Sequence, residues 1–300
     1  MPLAEIPLSV WRTRAQTFNF NNHRIHFWSA GQGEPLLLLH GFPNASWDWH
    51  YLWQPLMQRY RVIACDMLGF GDSAKPLDHD YSLQEQADLQ QALLQHLGIR
   101  QPVHVLAHDY GDSVAQELLA RHHEGRASIA SCVFLNGGLF PEAHRTVFIQ
   151  KMLLSPLGWL VGRAFSRDTL VKNVTQIYGP DTRPSESQID DGWSLIDAQG
   201  GTRVLHKLIA YIPERILWRE RWVTAMQQAG VPMRFINGAV DPVCGAHMLE
   251  RYRELIDNAD TVLLPTIGHY PQTEAPVQVL KHYLAFRGQL QPSRRILVGV

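Results

Sequence analysis

The stretch Val103–Ala115, VHVLAHDYGDSVA, constrains the fold more than any other. An apolar run, Val103 to Leu106, leads into a tight turn centred on Asp109 and then into the start of an amphipathic helix. Ala107 and Gly111 stand two residues to either side of Asp109. A small residue on each flank is what a strand-to-helix elbow requires, because the chain turns so sharply there that a bulky neighbour would clash. The commoner elbow presents a serine hydroxyl. Here the tip is a carboxylate, which is ionised at pH 7 without help from a base. A carboxylate that attacks carbon leaves an ester on the enzyme, and that ester must then be hydrolysed. The residue type directs the chemistry away from acyl transfer and towards the opening of alkyl electrophiles.

The rest of the chain supplies the sheet that such an elbow needs. Gln16–Phe20 and Arg24–Ser29 flank a polar turn at Asn21-Asn22 and read as a hairpin. Pro35–Leu39, Val62–Cys65, Val103–Leu106 and Ile129–Leu135 read as buried strands, with a helix over Trp47–Met57 and another over Ser82–Leu97. Ser82 is the expected N-cap of the latter, with Glu85 completing a capping box. From Leu139 to Ala229 no strand is evident, and this stretch reads as a helical insert. The alternation then resumes with Met233–Asn237, a helix over Ala246–Ile256, Thr261–Leu264 and a last helix near Pro276–Phe286. Such alternation predicts an α/β fold, a mostly parallel sheet covered by helices. The expected division is a core of residues 1–138 and 230–300 with a helical cap over 139–229.

Three residues carry the chemistry, in the order Asp109, Asp241, His269. Each follows an expected strand, and in a parallel sheet those strand ends share the edge where ligands bind. Asp109 is the expected nucleophile, His269 the base that activates water, and Asp241 the carboxylate that orients the ring. His40-Gly41-Phe42-Pro43 follows the PLLLL strand. That loop is expected to bring the backbone N–H of Phe42 beside that of Tyr110, forming an oxyanion hole. Asp112 and Ser113 are rival nucleophiles, but they fall one turn into the helix. Ser73, in Gly69–Ser73, lacks the strand-to-helix turn and reads as a loop residue.

These residues resemble the branch of the α/β-hydrolase superfamily that contains epoxide hydrolases and haloalkane dehalogenases. The resemblance rests on HGFP at 40–43, DMLGFGDSAKP at 66–76, HDYG at 108–111, the GAVDP acid loop and the GHYPQ histidine loop. More narrowly, HDYGDSVAQELL, NGGLFPEAHR, YGPDTRPSES and RERWV resemble the mesoderm-specific transcript proteins. The resemblance implies an α/β-hydrolase fold with an inserted helical cap. It also implies hydrolysis without a cofactor or a metal, most simply of an epoxide. Dehalogenases of the branch grip the departing halide with side-chain N–H donors, one of them a Trp after the nucleophile. Phe42 and Tyr110 stand at those positions and offer none. Epoxide hydrolases instead use two cap tyrosines as proton donors. Tyr211 stands about where the second is expected, and Tyr178 is a late candidate for the first. Haloalkane dehalogenation is the runner-up, and a non-catalytic binding or regulatory homologue is the third reading.

Composition bounds the remainder. A formal net charge of −1 over 300 residues points to neither nucleic acid nor an anionic membrane as partner. No apolar run approaches the ~20 residues of a membrane span, and the N-terminus lacks the apolar run of a signal peptide. Cys65, Cys132 and Cys244 share no metal or redox spacing and read as small buried hydrophobes in a reducing cytoplasm. The expected partners are a small hydrophobic electrophile and water, with oligomeric state left open. Trp159, Trp193, Trp218 and Trp222 read as packing residues more than pocket lining, and Arg215, Arg219 and Arg221 as a solvated helix face.

Overall fold

The computed structural model describes residues 2–228 and 230–290. The terminal RRILVGV segment, 294–300, lies outside the described residues. The first half runs α1 (Leu8–Thr13), β1 (Gln16–Phe20), β2 (His23–Ala30), β3 (Pro35–Leu39), α2 (Trp53–Met57), β4 (Arg61–Cys65), α3 (Leu83–His96), β5 (Val103–His108), α4 (Tyr110–His123) and β6 (Ile129–Leu135). A helical stretch follows: α5 (Phe148–Leu154), α6 (Gly158–Ala164), α7 (Arg167–Ile177), α8 (Glu186–Asp197), α9 (Leu205–Leu208), α10 (Tyr211–Leu217) and α11 (Arg219–Gln228). The chain returns to the sheet with β7 (Met233–Gly238), α12 (Ala246–Leu255), β8 (Thr261–Leu264), α13 (Pro271–Glu274) and α14 (Pro276–Leu290).

The eight strands form one sheet in the order β1-β2-β4-β3-β5-β6-β7-β8. The β1–β2 hairpin turns through Asn21 and Asn22, both at positive φ (47° and 65°), a conformation that Asn tolerates better than most residues. The hairpin extends the sheet because β2 also pairs antiparallel with β4, a pairing the sequence pattern did not reveal. From β4 onward neighbouring strands are parallel. Alternate strand residues feed two cores. Leu37, Val105 and Phe134 pack on one face, while Leu36, Leu38, Leu106 and Val133 pack on the other. Both faces are covered, so the strands read as apolar runs rather than alternating ones.

Two local expectations need correction. Trp47–Met57 is not one helix: a 3₁₀ turn over Ser46–Trp49 precedes α2. Pro55 sits near the start of α2, where its missing N–H costs nothing, and so the helix begins only at Trp53. At α3 the cap forms only by half. The Ser82 hydroxyl accepts the Glu85 N–H at 3.1 Å, but the Glu85 carboxylate turns away to His79 at 2.7 Å.

Candidate active site

The parallel register brings five strand ends to one edge. Leu39 is level with Ala107, His108 with Leu135, Leu135 with Ile236, and Gly238 with Leu264. The loops after β3, β5, β6, β7 and β8 therefore open side by side. At the end of β5, Asp109 adopts φ 47° and ψ −103°, a strained conformation for a residue with a side chain. Its flank explains the small residue at 111. A Cβ on Gly111 would run into the carbonyl oxygens of Leu39 and His40. The strain turns the Asp109 carboxylate towards the loop after β3, where the Phe42 N–H donates to Oδ2 at 3.2 Å. Tyr110 opens α4, so its N–H is among the first-turn donors without a partner inside the helix. Beneath the loop, His40 accepts the Met67 N–H at 3.1 Å through Nε2 and lies 2.9 Å from the Gly41 carbonyl through Nδ1. Burial holds its pKa down at about 4, so the ring is neutral and braces the loop.

Asp241 and His269 meet across the neighbouring loops. Nδ1 of His269 lies 2.8 Å from Oδ2 of Asp241. Asp241 also accepts the backbone N–H groups of Val243 (2.8 Å) and Cys244 (3.1 Å). Sequence reasoning missed a further support. Asn136, at the end of β6 and at φ 38°, donates to Asp241 Oδ2 at 3.0 Å. Its amide oxygen accepts the Gly238 N–H at 2.6 Å, so it ties the acid to its own strand end. Burial pushes the Asp241 carboxyl up, but the adjacent His269 and these donors hold it below the usual carboxylate range. Burial alone would lower His269. Asp241 foremost, then Asp109, raise it to about 9.

Residues 34–177 match the α/β-hydrolase fold family. The human mesoderm-specific transcript homolog protein is 41% identical over 295 residues, covering 93% of this chain and 87% of its own length. This chain belongs to the α/β-hydrolase family, among the mesoderm-specific transcript proteins. Two solved structures share the fold. The epoxide hydrolase CorEH aligns with a TM-score of 0.76 at 22% identity, over 92% of this chain and 99% of that one. The haloalkane dehalogenase DatA of Agrobacterium tumefaciens aligns with a TM-score of 0.76 at 18% identity, over 92% and 97%.

One expectation is overturned inside this α/β-hydrolase. Arg215 is not on a solvated face. It is 1% exposed and lies against Asp109. Its Nη2 donates to the Asp109 carbonyl at 2.8 Å and lies 3.4 Å from Oδ1, while Nε donates to the Ser113 hydroxyl at 2.6 Å. The reason is local: α10 is inverted. Tyr211 and Arg215, four residues apart on one face, point inward, while Ile216 and Leu217 point to solvent. Arg219 and Arg221 do remain on the surface, paired with Glu142 and with Glu117 and Glu124. Burial raises Asp109, and Arg215 first, then His269, more than offset it, so the carboxyl lies below its ordinary value. At the neighbouring Asp112, whose carboxyl oxygens accept no hydrogen bond among the described residues, Arg215 is outweighed. Burial, then the Asp109 charge, push it well above the carboxylate range and keep it neutral. Two carboxyls one helical turn apart thus hold different protonation states.

The structure separates the two tyrosines. Tyr211 is buried with its ring 5.8 Å from that of Phe42 and 5.1 Å from that of Tyr110, and the Arg215 guanidinium lies 4.5 Å over it. Its hydroxyl has no hydrogen-bond partner among the described residues. Burial first, then Asp109, hold the phenol protonated. Tyr178 is not brought to Asp109. Its hydroxyl sits 3.2 Å from that of Thr273, and the residue lines a separate cavity of about 290 Å³ beside Asp48. The cavity over Asp109 has about 70 Å³ of free volume, with Phe42, Leu153, Phe165, Val243, His269 and Tyr270 in its walls. None of the four cap tryptophans lines it. Tyr270, which the sequence reading passed over, is the tyrosine that does, and its hydroxyl donates to the Phe42 carbonyl at 3.4 Å.

Proposed function

We propose that this α/β-hydrolase opens a small apolar electrophile through an alkyl-enzyme ester on Asp109, with an epoxide as the leading substrate class. The observation that carries the reading is the ionised carboxylate at the elbow, with Oδ2 held by the Phe42 N–H and the His269–Asp241 pair on the adjoining loops. We also propose the division into a core of 1–138 and 230–300 and a cap of 139–229, since the cap helices supply most of the cavity walls. Buried, unpaired Cys65, Cys132 and Cys244 fit a reducing compartment such as the cytoplasm. No helix among the described residues is long and apolar enough to cross a membrane.

In the first step an Asp109 oxygen attacks a ring carbon and the carbon–oxygen bond of the ring breaks. We assign the proton of the departing alkoxide to the Tyr211 phenol, which packs against Phe42 without itself lining the cavity and whose pKa, ordinarily ~10, lies well below that of an alcohol. The guanidinium over the Tyr211 ring stabilises the tyrosinate that results. Alkylation removes the Asp109 charge, and with it part of what holds His269 protonated. His269 passes its proton to the tyrosinate and becomes a base. It then takes a proton from water, and hydroxide adds to the ester carbonyl carbon. The Phe42 and Tyr110 N–H groups receive the developing oxyanion. Collapse expels the second alkoxide, which takes the proton back from His269 and leaves as the diol. Asp109, formed as the acid, returns its proton to His269.

Halide release is not favoured. Phe42 and Tyr110 offer no side-chain N–H, and the N–H groups of Arg215 are engaged with Asp109, Ser113 and His144, which leaves the Gln150 amide in the cavity wall as the donor for a halide. A non-catalytic role would leave the strained elbow, with the His269–Asp241 pair on the adjoining loops, without a purpose. The test is His269→Gln with a panel of epoxides, haloalkanes and short esters. The variant is expected to accumulate enzyme heavier by the mass of an epoxide. A turned-over epoxide that leaves no adduct would refute attack by Asp109.

A further inference from the structure

The apolar surface of this protein is concentrated in one place. Of thirteen exposed large apolar side chains among the described residues, eight belong to α5, α6, the turn between them, and α10. Phe148 is 76% exposed, Leu217 73% and Ile216 66%, values that a solvated helix face gives to polar residues. The parts are continuous. α5 packs on α6, and a pocket between α5 and α10 is lined by both Leu154 and Ile216.

The charge of this region differs from that of the whole chain. No Asp or Glu occurs in residues 143–167, whereas Arg145, Lys151, Arg163 and Arg167 do. Arg167 is paired with Glu186 and Asp190. Arg145, Lys151 and Arg163 are in no ion pair among the described residues, and the Arg163 guanidinium lies 5.2 Å over the exposed Trp159 ring. The overall charge of −1 conceals this local positive field.

We propose that the α5–α6–α10 face docks reversibly on an anionic lipid bilayer. Exposed Phe, Trp and Leu among unpaired Lys and Arg match the two demands of that surface, an apolar layer beneath a negatively charged one. A second copy of this chain fits less well, because a two-fold contact through this face would set its cations against each other. The placement also serves the cavity. While Phe148 and Met152 face outward, Ile149 and Leu153 of the same α5 line the space over Asp109. A lipophilic molecule leaving the bilayer would then meet the helix whose inner face lines the cavity. That last point rests on the proposed function, and the docking itself does not.

The experiment is co-sedimentation of the full chain with phosphatidylcholine vesicles, with and without phosphatidylglycerol. Wild type is expected to bind the phosphatidylglycerol vesicles, and less so as salt is raised. The double variant Lys151→Ala/Arg163→Ala is expected to bind them roughly 30-fold more weakly, from about 1 kcal/mol per cation. Phe148→Ser/Trp159→Ser/Leu160→Ser is expected to lose binding while it still melts in one cooperative transition, since Phe148 is 76% exposed and Trp159 and Leu160 lie at the surface, 43% and 45% exposed. No binding of wild type to phosphatidylglycerol vesicles, or equal binding by the charge variant, would overturn the proposal. So would a wild-type dimer in light scattering that the triple variant converts to monomer, because a second copy would then cover the face.

Discussion

Replacing Arg215 by methionine tests the electrostatic design of the site. The side chain keeps its length and apolar stem and loses the guanidinium. In the native protein that group sits between the Asp109 carboxylate, the Ser113 hydroxyl and the Tyr211 ring, with 1% of the residue exposed. Removing one partner of a buried pair costs about 3–5 kcal/mol, because the other charge stays behind. For a chain of this size that corresponds to a fall in melting temperature of roughly 5–8 °C at pH 7, at ~2.1 cal/mol/K of unfolding entropy per residue. The pH dependence carries the diagnosis. Asp109 is held below its ordinary value in wild type, so its contribution to stability is full above the unfolded value near 3.8 and lost only as pH falls through the folded value. Without Arg215 the burial contribution acts against a weaker opposition, and the carboxyl rises. The stability that the low folded value contributes shrinks with it, so the gain in stability as pH rises through the folded value is smaller in the variant than in wild type. The kinetic counterpart is single-turnover formation of the alkyl-enzyme. It is expected to drop ~10–100-fold at pH 7, the scale for a lost hydrogen bond to a charged group, and its acid limb should move to higher pH. Arg215→Lys, which keeps a charge without the planar fork, should fall between. An Arg215→Met enzyme with an unmoved acid limb and an undiminished alkylation rate would refute the argument.

Three further outcomes are expected. Tyr211→Phe should cut single-turnover epoxide opening by ~10²-fold or more, the usual range for a lost general acid, and leave any reaction with alkyl halides nearly unchanged; an unchanged epoxide rate removes Tyr211 from the mechanism. His269 is raised to about 9 from 6.5, so the stability it contributes, on the order of 3 kcal/mol, is full below pH 6.5 and lost as pH climbs through 9. Thermal melts from pH 6 to 10 should show this loss in wild type and not in His269→Gln, and hydrolysis of the alkyl-enzyme ester in wild type should titrate below pH 9 because alkylated Asp109 no longer holds the proton. Asn136→Leu removes a donor to the Asp241 carboxylate and should slow ester hydrolysis by ~10–100-fold with little effect on alkylation, read by comparing burst and steady-state phases.

What could be read along the chain was whatever depends on neighbours in sequence. The elbow is legible because its steric demand falls on residues 107 and 111, within one turn of the tip. The strands are legible as apolar runs because both faces of the sheet are covered. The positions of Asp241 and His269 followed from a rule of topology, that loops after parallel strands share one edge. Where each tyrosine packs is a different kind of question. Tyr178 and Tyr211 look alike in sequence, and only the packing of α7 against the histidine loop turns the first towards Thr273. Arg215 shows the limit most clearly. In YIPERILWRER it is one of several arginines beside charged neighbours, and charge patterning alone assigns it to solvent. Its partner is Asp109, 106 residues away. A buried guanidinium is tolerated only where a distant carboxylate, hydroxyl and ring meet it together. Sequence determines which chemical groups are available and which short turns must form. The tertiary structure decides which of them lose water together, and burial, by removing the screening of charge, is what makes the same arginine a surface residue or a partner of Asp109.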